Sequence, residues 1–459
     1  MRIPRIMLSA GSSGSGKTLL TCGLLQALLE EGKKVVSFKC GPDYIDPMFH
    51  QQVLGTPSRN LDTFFTGEET TRYLFEKNAA DCDIAVMEGV MGYYDGVGGT
   101  TTKASAYDLA RVTDTPVILI VNSRGMSVSL AAYVKGFLDY KKDSRIKGVI
   151  LNQMSPMLYP RMKALLEEEL GIKVLGYVPK VTDCVLESRH LGLLLPHEVE
   201  DLKGKLKKMA GILKETLDLN GIWELAESAK ELAVPETLKE EDFSFRLEKK
   251  VRIGVAKDEA FCFFYADNFR LLEEMGAQLV WFSPLHEKNL PKDLDGLLLY
   301  GGYPELHGQA LEENSSMRKE IKTAINGGMP CMAECGGFMY LHEEMEGMDG
   351  AFHKMAGVIP GKVYRTPKLN RFGYVNLTQK APVFGTDDLG NIPAHEFHYF
   401  DSENCGASFH GKKPAGKKEW DCIHGSASLL AGFPHFYYYA NPSLAAAFLK
   451  SCAAYGEGK

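Results

Sequence analysis

Two α/β domains in tandem are the fold this sequence predicts: an N-terminal parallel-sheet domain carrying a phosphate loop, then a second α/β domain carrying a cysteine turn. Three observations predict it. At 459 residues the chain exceeds what one hydrophobic core ordinarily serves, so more than one domain is expected. Short apolar runs alternate with helical patterns, and after a charged interruption the alternation restarts. Directly after the first apolar run stands Gly11-Ser-Ser-Gly-Ser-Gly-Lys17-Thr18, a complete G-x-x-x-x-G-K-[ST].

Taken in order, Ile6 to Ala10 reads as a strand and Lys17 to Glu31 as an amphipathic helix ending before Gly32. Further strands are expected at Lys34 to Lys39, Ile84 to Met87, Val117 to Val121, Gly148 to Leu151 and Val174 to Tyr177. Strands separated by helical stretches imply parallel pairing with helices on both faces. The charge-rich stretch around Pro235 lacks an apolar run and reads as a linker, giving domains at 1–230 and 251–459 with 231–250 between them. The second domain then offers strands at Val251 to Ala256, Gln278 to Phe282, Leu294 to Tyr300 and Pro330 to Ala333. Helices are expected at Asp267 to Glu274, Met317 to Asn326 and Phe338 to Glu346. After Gly350 the chain is richer in Gly, Pro and aromatics, and β structure is expected.

Composition excludes several classes. A net charge of −7 gives no electrostatic case for nucleic acid, and no apolar run is long enough to cross a membrane. The opening MRIPRIMLSAG leads straight into the first strand, leaving no room for a signal peptide. Ten cysteines without paired spacing fit reduced thiols, so a cytoplasmic protein is expected. Cys331 and Cys335 lack a second pair for zinc. His395 and His398 stand three apart, one short of the spacing that puts two imidazoles on one helix face. Neither is read as a metal site.

The phosphate loop carries the first chemistry. Gly11, Gly14 and Gly16 let the backbone curl so that successive N–H groups, Ser15 among them, point at phosphate oxygens. Lys17 would reach the β- and γ-phosphates, and the Thr18 hydroxyl would ligate Mg²⁺. Glu88 follows a strand and is a second candidate Mg²⁺ ligand, with Asp95 sharing that role or contacting substrate. In Lys39-Cys-Gly-Pro-Asp43-Tyr44-Ile-Asp46, Lys39 could neutralise a transferring phosphoryl group, and Asp43 and Asp46 could orient substrate or hold metal. Gly41-Pro42-Asp43 also fits a plain turn, with the acids solvated.

The second chemistry is in Ala333-Glu-Cys335-Gly-Gly337. An apolar strand, a small-residue turn and a following helix make a nucleophile elbow, and a helix N-terminus is expected to favour the thiolate. Gly301, Gly302 and Gly336 are candidate N–H donors for an oxyanion. From these residues alone, an inert buried Cys335 and a catalytic one both stand.

Nearly the whole chain resembles the cobyrinic acid a,c-diamide synthase family of corrinoid-pathway amidotransferases. The resemblance is carried in order by SSGSGKT, FKCGPDYIDP, MEGVMGYYDG, GVILNQ, ESRHLGLL, FYADNFRLLEEMGAQLVWFSPLH, GGYPELH, AECGGFMYL, HEFHY and HFYYYANP. It implies a dethiobiotin-synthetase-like ATPase domain joined to a triad-type glutamine amidotransferase domain. The implied substrates are ATP, glutamine and a corrinoid or related tetrapyrrole, with Mg²⁺ and a carboxyl-phosphate intermediate. By the same resemblance Lys39, Asp43, Tyr44, Asp46 and Asp95 contact substrate, and Asn152 recognises the base. Cys335 is then the glutaminase nucleophile and His435 its base; Arg189 and His190 belong to a signature without an assigned role. Many glutaminases of this fold carry H-x-E, whereas here the run is His435-Phe436-Tyr437, which leaves the orientation of His435 open. Oligomeric state is not implied. Alternatives are amidation of nickel-sirohydrochlorin or hydrogenobyrinic acid, a cobyric acid synthase, and a P-loop switch of the partitioning type. Such switches carry a lysine directly after the first glycine, where this chain has Ser12.

Overall fold

Arg5–Ala10 (β1) is buried at every position, as a strand covered on both faces must be. In the computed structural model it is the centre of a seven-stranded sheet. The other strands are Val35–Cys40 (β2), Arg59–Leu61 (β3), Ile84–Glu88 (β4), Val117–Asn122 (β5), Ile146–Asn152 (β6) and Lys173–Val178 (β7). Their order is β3-β2-β4-β1-β5-β6-β7, and all six pairings are parallel. The chain crosses from one side of β1 to the other, so the carboxyl ends of β1, β2 and β4 open onto one crevice. Helix Lys17–Glu30 starts there, and Leu20, Leu24, Leu25 and Leu28 pack on the sheet with Ile6, Leu8, Ile118 and Ile120.

The structure describes residues 2–184, 186, 188–189, 192–233, 238 and 243–458. They fall into two compact units, 1–239 and 240–459. Pro235 of the charged stretch and His190 of the ESRHLGLL signature lie outside the described residues. A short antiparallel pair, Ser188–Arg189 (β8) and Gly192–Leu193 (β9), occurs late in the first unit.

The second unit holds two larger sheets. One contains Val251–Ala256 (β10), Ala277–Phe282 (β11), Gly296–Leu299 (β12) and Cys331–Glu334 (β13), in the order β11-β10-β12-β13. It is continued later in the chain by Leu429–Gly432 (β21), parallel to β13, and His424–Gly425 (β20). The other runs through His342–Glu346 (β14), Phe352–Lys354 (β15), Ile359–Gln379 (β16), Asn391–Ser402 (β17), Phe409–Lys412 (β18), Glu419–Cys422 (β19) and His435–Phe436 (β22). This is the β-rich stretch after Gly350. One expectation is corrected here. No helix spans Phe338 to Glu346; a five-residue helix covers Gly336–Tyr340, and β14 follows. The charged HEEME run has helix propensity, but pairing with β15 and β16 outweighs it.

Candidate active sites

The phosphate loop leaves β1 and enters its helix through Gly16, whose φ of 83° a side chain would strain. Lys17 folds back along the loop, and its Nζ donates to the carbonyls of Ser12 (3.0 Å) and Met91 (2.7 Å). Burial, and then the charge of Lys39, lowers its pKa to about 8. Asn152 ends β6, and its Nδ2 donates to the Ser15 carbonyl at 3.0 Å. Its amide is therefore bonded to the loop itself.

Lys39 and Glu88 are direct neighbours on parallel β2 and β4, one position before the crevice or at its edge. The buried Lys39 ammonium lies 3.0 Å from Glu88 Oε1 and also pairs with Asp46 Oδ2. The Thr18 hydroxyl is 2.9 Å from both Asp46 Oδ1 and Glu88 Oε1. Burial opposes charge on all three groups. For Lys39 the two carboxylates outweigh it and hold the pKa above the usual lysine value. For Glu88 the Lys39 ammonium and His50 outweigh it and hold the carboxyl below the usual range. Asp46, also beside Asp43, is raised. Two carboxylates that share one ammonium, with a hydroxyl bonded to both, form a hard-oxygen cradle, a donor set that suits Mg²⁺. Among the described residues no group of three or more His, Cys, Asp or Glu side chains is arranged to hold a metal by itself.

The other acids sit differently. Asp43 Oδ1 accepts from the Ile45 N–H at the start of helix Ile45–Leu54 (2.9 Å), the geometry of the plain-turn reading. Asp95 Oδ2 accepts from the Gly92 N–H at 2.9 Å, near enough to Lys17 to favour its charge. Tyr44 is buried beside the same turn. His50 was not singled out by the sequence. It stands four residues after Asp46 on one helix face, and its Nε2 lies 2.7 Å from Glu88 Oε2. That i, i+4 spacing was the available signal.

In the second unit Cys335 follows β13 with φ 46° and ψ −104°, a strained conformation for a non-glycine residue at a sharp turn. Its N–H donates to the Gly432 carbonyl (2.8 Å), and its carbonyl accepts from Met339 to start the short helix. Glycine is required around it. A Cβ on Gly337 would fall 2.0 Å from the Leu299 carbonyl oxygen, and one on Gly302 would fall 2.1 Å from that of Ala260. A Cβ on Gly336 would lie 3.1 Å from the Gly302 nitrogen, so the candidate oxyanion donors are neighbours. A Cβ on Gly301 would meet His435 Cε1 at 2.6 Å and Cys335 Cβ at 3.5 Å. Cys335 and His435 thus flank one glycine.

The thiolate expectation is corrected. The thiol is pushed up, by burial first and then by Glu305 and Glu396, and a five-residue helix is too short to reverse that. Burial thus favours the thiol form of Cys335. The His435 ring stacks on His395 with centroids 4.9 Å apart. Burial, and then His435, drives the His395 pKa well down, so His395 is neutral. Tyr437, at the H-x-E position, donates its hydroxyl to Asp267 Oδ2 at 3.0 Å. Glu334, which the sequence reading passed over, brings Oε2 to 3.6 Å from His435 Nδ1.

Comparison with known proteins adds two domain families and a set of full-length relatives. Residues 6–193 match the CobQ/CobB/MinD/ParA nucleotide binding domain, and residues 252–437 match the CobB/CobQ-like glutamine amidotransferase domain. The chain is 40% identical over 459 residues to a cobyrinate a,c-diamide synthase of Caldanaerobacter subterraneus subsp. tengcongensis, covering 99% of each. It is 35% identical to one from Priestia megaterium (98% of this chain, 97% of the relative) and 37% identical to one from Listeria innocua (96% and 97%).

Proposed function

The chain belongs to the cobyrinate a,c-diamide synthase family, and from that premise we propose that it converts the a and c side-chain carboxylates of cobyrinic acid to amides in cobalamin biosynthesis, with glutamine as nitrogen donor and ATP as driving force. One observation carries the reading: a single chain holds both a phosphate loop with an acid–lysine cluster and a strained cysteine sharing a glycine with a histidine.

In the glutaminase unit, His435 takes the Cys335 proton as sulfur attacks the glutamine carboxamide carbon. The resulting oxyanion is met by the N–H groups around Gly302 and Gly336. As the C–N bond breaks, the imidazolium proton passes to the leaving nitrogen, releasing ammonia and leaving a thioester. Water, deprotonated by His435, then frees glutamate, and the thiol recovers its proton. The raised thiol pKa supports this order, because the proton must move as the nucleophile forms.

In the nucleotide unit, Lys17 neutralises the phosphates while Lys39 faces the charge passing between nucleotide and substrate. Mg²⁺, held by Thr18 and Glu88 with Asp46 beside them, would supply charge neutralisation across the phosphate oxygens when bound. A corrinoid carboxylate oxygen attacks the γ-phosphorus and ADP leaves. Ammonia then attacks the acyl phosphate carbon, and phosphate departs to leave the amide. A carboxylate accepts no amine until its oxygen becomes a leaving group, which is why one chain needs both units.

The test is mass spectrometry of products from the purified protein with cobyrinic acid, Mg²⁺-ATP and amide-¹⁵N glutamine. Two labelled amides per macrocycle are expected. Glutamine hydrolysis without corrinoid amidation would overturn the substrate and move it to another tetrapyrrole polycarboxylate. Cys335→Ala should stop the glutamine-driven reaction and leave the ammonia-driven one; equal loss of both would overturn its role.

A further inference from the structure

A histidine that takes a proton from a thiol must present one nitrogen to it, so its other nitrogen needs a partner that fixes tautomer and ring plane. In His435 the Cε1–Nε2 edge lies over Gly301. A Cβ there would be 2.6 Å from Cε1, 3.5 Å from Nε2 and 3.5 Å from Cys335 Cβ. The opposite nitrogen, Nδ1, faces Glu334 Oε2 at 3.6 Å. Position 437 offers no carboxylate, and its tyrosine hydroxyl is bonded to Asp267.

Glu334 is built into this place by the sheet. It pairs in register with Gly432 across parallel β13 and β21, and the chain needs only Phe433 and Pro434 to bring His435 back beside it. Oε2 also accepts from the Phe436 N–H at 3.3 Å, so the residue after the histidine pins the same oxygen. Oε1 has no hydrogen-bond partner among the described residues, and the side chain is 2% exposed. A buried carboxylate kept half-satisfied is costly to the fold, which marks it as held for another purpose. His395 stacks on one face of the imidazole, and Glu334 adjoins its Nδ1 edge.

We propose that Glu334 is the positioning residue of the glutaminase, fixing His435 through Nδ1 from the strand that also carries the nucleophile. The inference rests on the assignment of Cys335 and His435 made above. A third triad member placed immediately before the nucleophile, rather than two residues after the histidine, makes Tyr437 dispensable for turnover.

The test is steady-state glutamine hydrolysis by the full chain. Glu334→Gln keeps the shape but removes the charge, and should lower kcat by about 10²-fold, the scale of positioned acid–base assistance. KM for glutamine and ammonia-driven amidation should stay within about twofold. Glu334→Asp, which keeps the charge, should retain at least about ten times the rate of Glu334→Gln. A wild-type rate in Glu334→Gln, a rise in KM at unchanged kcat, or an aspartate variant no better than the glutamine variant would overturn the proposal. Cys335→Ala, assayed alongside, separates the two failures. If it still hydrolyses glutamine the underlying site is wrong, and if it does not, only the role of Glu334 falls.

Discussion

Gly301→Ala is the sharpest probe of the thiol–imidazole geometry. The added methyl would sit 2.6 Å from His435 Cε1 but 3.5 Å from Cys335 Cβ, so the imidazole has to yield and the nucleophile does not. Restoring ordinary contact at 3.4 Å moves the ring by about 0.8 Å. A displacement of about 1 Å in a catalytic group costs roughly 10²-fold, or about 2.7 kcal/mol of transition-state stabilisation. Gly301 does not have a left-handed φ, so alanine adds no backbone strain. The assay compares glutamate release with amidation driven by ammonium chloride. Glutamine hydrolysis should fall by about 10²-fold while the ammonia reaction keeps its rate. Glutamine hydrolysis within about threefold of wild type would refute the placement of His435 as base. Equal loss from both nitrogen sources would show that Gly301 serves the fold instead.

Three further outcomes are expected. Lys39→Met leaves the buried Asp46 without its cation and Glu88 with His50 alone, and should cost about 3–5 kcal/mol in urea unfolding; an unchanged midpoint would refute the ion cluster. Tyr437→Phe removes the donor to Asp267, which should cost about 1–3 kcal/mol of stability with glutamine hydrolysis within about threefold, and a dead enzyme would assign Tyr437 to catalysis. His395 has a depressed pKa in the folded chain, so below about pH 6.5 the unfolded state binds a proton that the folded state refuses. Stability should therefore fall with pH below that point, and less steeply in His395→Gln; parallel pH profiles would refute it.

How much of this was legible in the sequence follows from the range of the contacts. The phosphate loop is contiguous, and its strand–loop–helix setting could be read directly. Lys39 and Glu88 could be read as strand-end residues, but their direct pairing needed the order of the sheet, which crossover connections do not reveal. His50 faces the same cluster one helical turn after Asp46, in helix Ile45–Leu54, to which the sequence reading assigns no element. In the second unit the elbow was legible because its small neighbours are local. Glu334 was not, because its partner His435 arrives on β22, a strand far along the chain. The thiolate expectation treated the helix end alone and left out burial and the acids arriving from β17 and the Gly301 loop. The run after Tyr340 became a strand for a similar reason: partners distant in sequence outweighed local preference.

The crowding around the elbow bears on how relatives of this chain should be read. Gly302 and Gly337 sit against carbonyl oxygens, where no side chain fits whether or not glutamine is ever hydrolysed. A descendant that lost its amidotransferase activity would still be obliged to inherit both, because the strands could not close otherwise. Gly302 and Gly337 therefore record the architecture. The side chains proposed above for the glutaminase chemistry, Cys335, His435 and Glu334, carry no such backbone clash. A degenerate copy would lose those first and keep its glycines.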